Sequence, residues 1–279
     1  MSDARVASLH VYPVKGCRGI DLADADVVTT GLTTNGIGDR EWMLVDEAGT
    51  FLTQRELPRL ALVSVQVGRD SLRLAAPYMR ACDVPLTDGG EARDVVVWRS
   101  AVRGIDAGDA VAAWLSDWLA REVRLLRFDR SVARYCNPEY AGDSKAHTMF
   151  ADGYPVLVTT RASLADLNDR LVGRGSEPLP MTRFRPNIVL DGLPPYAEDH
   201  LDTIAIGDVL LRCVKPCVRC QVTTTDQETA KVGIEPLRTL GEYRMDARLG
   251  GVTFAMNAIV SHGGTIKTGD AAAVEYRFA

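Results

Sequence analysis

Short apolar runs separated by turn residues dominate the chain and predict a protein built mainly from β-strands. The runs at 6–11 and 42–45 are bounded by Gly, Asp, Pro or Asn, which is typical of strands in a sheet or barrel. Regular helices do not alternate with the runs, so a doubly wound parallel sheet is not expected. Further strands are predicted at 60–67, 72–75, 95–98, 188–190, 203–206, 209–214, 222–225, 253–260 and 274–278.

Two segments repeat their apolar residues at helical spacing instead. The segment 163–172 has Ser163 as its predicted N-cap, followed by Leu164, Leu167 and Leu171 on one face. The polar, glycine-dotted segment 136–154 predicts a long surface loop. The other predicted helix, 109–120, has an apolar stripe of Val111, Trp114, Leu115, Trp118 and Leu119. The fold class is therefore mainly β with a few helices, a β-rich α+β protein.

Composition narrows the function classes. The chain has 279 residues, 46% apolar and 25% charged, which suits an ordinary globular protein with one large domain or two smaller ones. A formal net charge of −5 argues against a nucleic-acid partner, because binding to phosphate requires a basic surface. No apolar run is long enough to predict a membrane span. The first residues lack the apolar core of a secretory leader, so we expect a cytoplasmic location.

Three cysteines lie close together at Cys213, Cys217 and Cys220, in the pattern C-x3-C-x2-C. A structural zinc site needs about four ligands, and the four histidines of the chain are scattered singly. The same spacing occurs in radical enzymes with a four-iron cluster, but there it opens a βα barrel. A redox pair would begin a helix, whereas the residues after Cys220 have the pattern of a strand. Two inert thiols complete the alternatives, and spacing alone leaves all four open.

An ordered series of motifs is more specific than the cysteine spacing. "FRPNIVL" at 184–190, "CVRCQVTTTD" at 217–226, "EPLRTLGEYR" at 235–244 and "GTIKTGD" at 264–270 together resemble the MOSC domain of molybdenum-cofactor sulfurases and amidoxime-reducing enzymes. "VYPVKGCRG" at 11–19, "GDREWMLVD" at 38–46 and "TQRELPRL" at 53–60 resemble the β-barrel domain that precedes MOSC. The resemblance implies an N-terminal β-barrel-like domain at 1–130 and a MOSC β-barrel domain at 131–279. We further expect a bacterial source.

The resemblance assigns the cysteine cluster to a molybdenum cofactor. In the amidoxime-reducing branch the second cysteine of C-x-R-C binds the metal, and that position is Cys220. One protein thiolate is enough there, because the pterin dithiolene and oxo groups supply the other ligands. A sulfur ligand suits this thiophilic metal. Cys220 is therefore the expected metal ligand and catalytic residue, and the role of Cys217 stays open.

The resemblance also implies a clamp for the phosphate and pterin of the cofactor. Arginine offers a planar fork to phosphate oxygens and lysine offers a point charge. Relatives carry serine after the lysine of the first motif, whereas this chain has Gly16, whose amide remains a donor, and then Cys17, a candidate thiol beside the site. The family's cofactor contacts correspond here to Lys15, Gly16, Arg40, Arg185, Asn187 and Asn257.

The implied function is reduction of N-oxygenated substrates such as amidoximes, hydroxylamines or N-hydroxylated bases. The chain has no ferredoxin-type cysteine motif, so we expect electrons from a separate donor of the ferredoxin, flavin reductase or cytochrome type. Neither an iron–sulfur cluster nor pyridoxal phosphate is expected on this chain. The alternative is a cofactor carrier or sulfur-transfer module with a persulfide on Cys217 or Cys220. A third class is a small-molecule-binding barrel with incidental thiols.

Overall fold

The computed structural model describes residues 4–86 and 89–277, and strands dominate both ranges. Its α-helices are α1 (Asp109–Leu119), α2 (Pro138–Ala141), α3 (Arg161–Gly173) and α4 (Leu237–Gly241). Short 3-10 helices lie at Pro58–Leu62, Gly142–Ser144, Met181–Arg183, Ala197–His200 and Gln221–Thr224. The strands are β1 (Arg5–Val11), β2 (Ile20–Leu22), β3 (Asp24–Val28), β4 (Gly31–Thr34), β5 (Ile37–Gly38), β6 (Trp42–Val45), β7 (Ser64–Val67), β8 (Ser71–Ala75), β9 (Cys82–Pro85), β10 (Ala92–Val97), β11 (Ser100–Asp106), β12 (Arg124–Phe128), β13 (Arg134–Tyr135), β14 (His147–Thr148), β15 (Val156–Thr160), β16 (Ile188–Asp191), β17 (Leu201–Ile206), β18 (Val209–Val218), β19 (Met245–Asp246), β20 (Gly251–His262), β21 (Gly264–Lys267) and β22 (Ala273–Tyr276).

The largest sheet runs in the order β2-β1-β16-β15-β20-β18-β17-β22, with β19 paired to β20. Its pairs are antiparallel except β15 and β16, which are parallel and joined through α3. The long central strands β18 and β20 lose register three times along their ladder. Such irregularities re-aim side chains and are common beside active sites. Here the last of them lies at the end of β18, just before Cys220.

The two halves of the chain share hydrogen-bonded sheets. Strands β1 and β2 belong to the large sheet, and β21 from the C-terminal half pairs with β3 in the order β21-β3-β4-β5. Two further sheets, β10-β11-β12-β6 and β7-β8-β9, come from the N-terminal half alone. The mainly β fold class is confirmed, and the domain boundary between 130 and 131 stays a prediction.

The predicted helical stripes face the core. In α1, Leu115 is fully buried and Trp118 is nearly so, within a cluster that also contains Trp42 and Leu60. In α3, Leu167 and Leu171 pack beside Phe184, whose ring stacks on Phe254 with centroids 4.0 Å apart. Burial of such side chains stabilises the fold by about 1.5–3 kcal/mol each.

The start of α3 differs from the prediction, because Thr160 is the N-cap and not Ser163. The Thr160 backbone is extended, and its Oγ1 accepts a hydrogen bond from the Ser163 amide at 3.0 Å. Ser163 lies inside the first turn and donates to the buried Glu198 carboxylate at 2.8 Å. Thr160 and Ser163 both fit the residue preference of an N-cap. Ser163 instead uses its hydroxyl to bond the buried Glu198 carboxylate, and Thr160 caps the helix.

Three predicted strands are wrong in part or whole, and the smallest departure is at 95–98, where the strand ends at Val97. Of 60–67, only Ser64–Val67 is a strand, and the residues before it form a 3-10 helix with Pro58 at its first turn. The segment 222–225 lies in the 3-10 helix Gln221–Thr224 and the residue after it. There the hydroxyls of Thr223 and Thr224 donate to carbonyls three residues back, at 2.9 and 2.8 Å. These bonds outweigh the strand preference of β-branched residues.

The predicted surface loop 136–154 is also wrong in part. It contains α2, a 3-10 turn and β14, and it buries Cys136, Phe150 and Ala151. In the last predicted strand, Phe278 lies outside the described residues. Within the described ranges, none of the helices has the length and apolar character needed to cross a membrane.

Candidate active site

One cleft gathers all seven predicted site residues. It holds about 790 Å³ of empty space, part of it open to solvent. Its walls come from the turn after β1, the turn before β6, the approach to β16, the end of β18 and the middle of β20. The predicted residues that line it are Lys15, Gly16, Arg40, Arg185, Asn187, Cys220 and Asn257.

Lys15 lies at the base of the cleft with only 7% of its surface exposed. Its Nζ donates to the Phe150 carbonyl at 2.9 Å and to Asp152 Oδ1 at 2.6 Å. Burial lowers the pKa of Lys15, while the Asp152 carboxylate opposes that shift. An ammonium has three N–H donors, and these two bonds leave one of them for a further acceptor.

Arg40 and Arg185 both stack on one aromatic ring, that of Tyr12. Each guanidinium carbon lies 4.3 Å from the centroid of the Tyr12 ring. Both residues have left-handed backbones, with φ of 50° and 55°, and such conformations concentrate at functional sites. Arg40 donates to Asp39 and, at 3.1 Å, to the Arg185 carbonyl. The aromatic ring and the backbone thus hold two cations close together.

Arg185 is under-satisfied in this arrangement. Its Nη1 donates to the Cys17 carbonyl at 2.7 Å, but its buried Nη2 has no hydrogen-bond partner among the described residues. Burial, followed by the neighbouring Arg40 charge, lowers the pKa of Arg185 to about 10. The side chain is therefore still charged at neutral pH. A buried donor without an acceptor costs about 1–3 kcal/mol unless a ligand satisfies it.

Asn187 and Asn257 differ in how firmly the backbone holds them. The Asn187 side chain, 1% exposed, accepts from the Leu157 amide at 3.0 Å and donates to the His10 carbonyl at 3.2 Å. Asn257 is half-buried and donates to the Lys215 carbonyl at 3.1 Å across an irregular part of the β18–β20 ladder. Asn187 is therefore a fixed part of the wall, and Asn257 keeps its amide oxygen available.

Gly16 fits its position for a conformational reason. Its φ is +87°, and an added Cβ would lie 3.2 Å from Leu60 Cδ1. Its carbonyl accepts a hydrogen bond from the buried side-chain Nε2 of Gln54 at 2.7 Å. The side-chain amides of Gln54 and Gln227 also donate to each other, at 3.1 and 3.0 Å. The backbone amides of Lys15 and Cys17 donate to the carbonyls of Trp42 and Val14. The Gly16 amide between them donates to no acceptor within the described part of the chain. This loop therefore presents one free backbone donor.

Cys220 and Cys217 both reach the cleft, and each has an arginine beside it. Arg55 Nη2 lies 3.7 Å from Cys220 Sγ, and Arg219 Nη1 lies 2.9 Å from Cys217 Sγ. Cys220 precedes the 3-10 helix Gln221–Thr224, so the strand predicted after it does not exist. That helix is only four residues long, which gives no support to a thioredoxin-like site.

Three of the other four thiols, those of Cys17, Cys136 and Cys213, are buried, and the fourth, that of Cys82, is half-buried and does not line the cleft. Burial raises the pKa of Cys17 and of Cys213 to about 12 each, and that of Cys136 to about 11. Thiols with such pKa values stay protonated at neutral pH and behave as small apolar side chains. Cys17 contributes its backbone carbonyl to Arg185, and its thiol role beside the cofactor stays a prediction.

The cleft carries the opposite charge to the chain as a whole. Among the described residues, five cationic side chains line it, against one carboxylate, Asp152. The formal charge of the whole chain is −5. No three His, Cys, Asp or Glu side chains within 4–86 and 89–277 come together as a metal-binding group. The cleft therefore suits an anionic ligand, and a metal there would need most of its ligands from a non-protein group. The cations are Lys15, Arg40, Arg55, Arg185 and Arg219.

Three of the six charged residues that line the cleft had no role in the sequence-based assignment. Arg219 lies inside the C-x-R-C motif, so its position in that motif could have identified it. Arg55 lies inside "TQRELPRL", but nothing in that motif indicates that it contacts Cys220. Asp152 lies within a segment predicted to be a surface loop, where a carboxylate carries no signal.

Comparisons with known proteins agree with the geometry. Residues 3–122 match the family model of the MOSC N-terminal beta barrel domain, and residues 145–273 match that of the MOSC domain. The human mitochondrial amidoxime-reducing component 1 is 35% identical over 278 residues, which cover 95% of this chain and 81% of that protein. The bovine mitochondrial amidoxime reducing component 2 is 32% identical over 281 residues, with the same two coverages.

Among solved structures, the YuaD protein of Bacillus subtilis aligns over 99% of this chain and 97% of that chain. The identity is 11% and the TM-score 0.43, so this likeness adds nothing to the sequence matches. The cytoplasmic location and the bacterial source both stay predictions.

Proposed function

The chain belongs to the MOSC family, within the group that contains the amidoxime-reducing components, and on that basis we propose that it is a molybdenum-cofactor-dependent oxidoreductase. Its substrates are N-oxygenated compounds such as amidoximes, hydroxylamines or N-hydroxylated bases. Its electrons come from a separate redox protein, of the ferredoxin, flavin reductase or cytochrome type. The two relatives described above are amidoxime-reducing components, which supports the reaction class.

One observation carries this proposal: a thiol and an under-satisfied cation cluster face the same cleft. Cys220 is the soft ligand for the metal. Lys15, Arg40 and Arg185 are the clamp for the cofactor's phosphate, together with the free Gly16 amide. The unpartnered, buried Arg185 Nη2 is the strongest sign that this cluster binds an anion, because a phosphate oxygen would satisfy it. The residues present therefore fit the group.

When bound, the cofactor would supply the two-electron chemistry that removes oxygen from nitrogen. The chain's own contribution is to bind and orient. Asn257 would offer its amide oxygen to the polar edge of the pterin, and Asn187, fixed by two backbone bonds, would shape the wall against which the pterin lies. The ring of Phe184, which lines the cleft next to Arg185 in sequence, stacks on Phe254 and adds an apolar part to the wall.

The alternative function, a cofactor carrier or sulfur-transfer module, has one specific observation in its favour. Arg219 Nη1 lies 2.9 Å from Cys217 Sγ, and a guanidinium at that distance could also hold a persulfide. Turnover with an artificial electron donor separates this function from the first. Bound molybdenum separates both from a small-molecule-binding barrel.

The test is to purify the protein from molybdate-fed cells and to measure molybdenum and pterin in the same sample. About one of each per chain is expected, since the cleft has one ligand thiol and one clamp. Reduced viologen should then support conversion of benzamidoxime to benzamidine. Stoichiometric zinc or iron without molybdenum would overturn the proposal, and bound cofactor without turnover would favour the carrier.

A further inference from the structure

Arg55 differs from the other four cations of the cleft in what its guanidinium contacts. Arg40 and Lys15 have carboxylate partners, and Arg185 and Arg219 donate to backbone carbonyls. Within residues 4–86 and 89–277, no carboxylate lies within 4.0 Å of Arg55, and its guanidinium donates only to Cys220 Sγ, at 3.7 Å. Four of its five N–H donors are therefore available for a ligand.

The Arg55 side chain is nevertheless held in place. Its guanidinium carbon lies 4.5 Å from the centroid of the Trp98 indole, which forms a cation–π contact. Trp98 occupies the tight turn between β10 and β11 with a left-handed φ of 58°, and Phe51 packs edge-on against its ring. Its Nε1 donates to Asp152 Oδ1 at 3.1 Å, the same oxygen that accepts from Lys15.

These contacts make one continuous wall from the phosphate clamp to the metal-ligand thiol. We call Arg55, Trp98 and Asp152 the rim of the cleft. Trp98 remains 46% exposed although it is anchored on two sides. An exposed, anchored indole carrying a preoriented guanidinium is a recognition surface for a flat molecule with a negative group.

We propose that the rim selects substrates, with Arg55 binding a carboxylate on a planar N-oxygenated compound and Trp98 supporting its aromatic plane. The inference rests on the proposed function and adds a substrate class to it. Asp152 is a positioning residue, which acts through Trp98. Cationic substrates are disfavoured, because they would meet the guanidinium next to Cys220.

The proposal is tested with the purified holoenzyme and four amidoximes: benzamidoxime, its meta- and para-carboxy derivatives, and a para-trimethylammonio derivative. A charge-assisted hydrogen bond stabilises by about 1.5–3 kcal/mol, so kcat/KM should favour one carboxy isomer over benzamidoxime by about tenfold to a hundredfold. The difference should lie mainly in KM. Arg55→Gln should reduce that ratio to about one, and Arg55→Lys should restore part of it.

A matched control exists in the same half of the chain. Arg59 lies 3.9 Å above the Trp118 ring, the same kind of stack away from the cleft, so Arg59→Gln should leave the ratio unchanged. Trp98→Ala should lower the ratio, and Trp98→Phe should lower it less. A preference that persists in Arg55→Gln would overturn the proposal. So would loss of molybdenum in that variant, because Arg55 would then be holding the cofactor.

A binding measurement keeps this inference separate from the proposed function. Terephthalate, a flat unreactive dianion, should quench the fluorescence of Trp98 in the wild type but not in Arg55→Gln, with Trp98→Phe identifying the signal. If benzamidoxime is not reduced at all, the proposed function fails. The quenching measurement still shows whether the rim binds a flat carboxylate through Arg55. Equal quenching in both proteins would count against the rim, whatever the enzyme does.

Discussion

The floor and the rim of the cleft are built in different ways. The floor, which we define as Lys15, Arg40, Arg185 and Asn187, is largely buried, and each member bonds at least one backbone group. The rim joins its side chains mainly to one another, and 46% of Trp98 is exposed. The backbone therefore fixes the floor, whereas the rim can be altered with little effect on the sheets.

This difference suggests a division of labour. Buried polar groups with fixed partners suit a ligand that stays in place, because their geometry is preorganised. Exposed ion pairs and stacks contribute roughly 0–1 kcal/mol to stability, so their value is in contacts with a changing ligand. We expect changes at the floor to affect retention of the cofactor and changes at the rim to affect the choice of substrate.

The largest expected effect comes from the thiols between these two regions. Cys220→Ser should abolish N-reduction, at least a hundredfold, and change the molybdenum absorption spectrum, because a harder oxygen replaces the thiolate. Cys217→Ser should keep that spectrum and a substantial part of the activity. Both variants are assayed with reduced viologen and benzamidoxime, and rates are normalised to bound molybdenum. Equal loss in the two would favour a redox pair instead.

A smaller effect is expected at the floor, from Arg185→Ala. Molybdenum retained after dialysis should fall at least tenfold, because the phosphate loses its donor fork. In the cofactor-free protein the free energy of unfolding should change by no more than about 1 kcal/mol, since the lost bond to Cys17 is offset by removal of a desolvated charge. Chemical unfolding and metal analysis measure the two quantities.

Arg183→Ala is the matched control for that prediction. Arg183 is also buried, at 8% exposure, but it donates to Asp226 at 2.9 Å and does not line the cleft. Its loss should lower the free energy of unfolding by about 1–3 kcal/mol, because a paired charge is broken, and leave molybdenum per folded chain unchanged. If Arg183→Ala lost molybdenum and Arg185→Ala kept it, the phosphate clamp would not include Arg185.

The floor could be predicted from the sequence and the rim could not. Lys15, Arg40, Arg185 and Asn187 each lie inside a short motif that is recognisable in the sequence alone. The left-handed conformations of Arg40 and Arg185 belong to those motifs. Their meeting in one cleft confirms that the motifs are close in space, although their roles stay proposals.

The rim depends on contacts between residues that are distant along the chain. Arg55, Trp98 and Asp152 are about fifty residues apart from one to the next, and each lies in a turn or loop. Trp98 was predicted as the end of a strand, whereas it forms the turn after β10. The same limit explains the missing strand after Cys220, where threonine hydroxyls stabilise a 3-10 turn that propensity does not predict.

The smallest expected effect is that the preference for carboxylated substrates hardly changes with pH. This prediction tests whether Asp152 anchors the rim as an ionised carboxylate. The Asp152 side chain is 63% exposed. Its partial desolvation in the cleft would raise its pKa, but the Lys15 charge and the hydrogen bonds from Lys15 and Trp98 outweigh that effect and hold the pKa below its ordinary value. The anchoring by the ionised form is therefore present above the ordinary pKa and is lost only as pH falls through the lowered one. Between about pH 8 and about pH 5 the carboxylate preference of the enzyme should change less than about twofold, once ionisation of the substrate is corrected for.

Asp152→Asn should lower that preference already at neutral pH, because the amide cannot replace the charge that Lys15 and Trp98 contact. A preference that falls between pH 7 and pH 5 in the wild type would mean that a group other than Asp152 holds the rim.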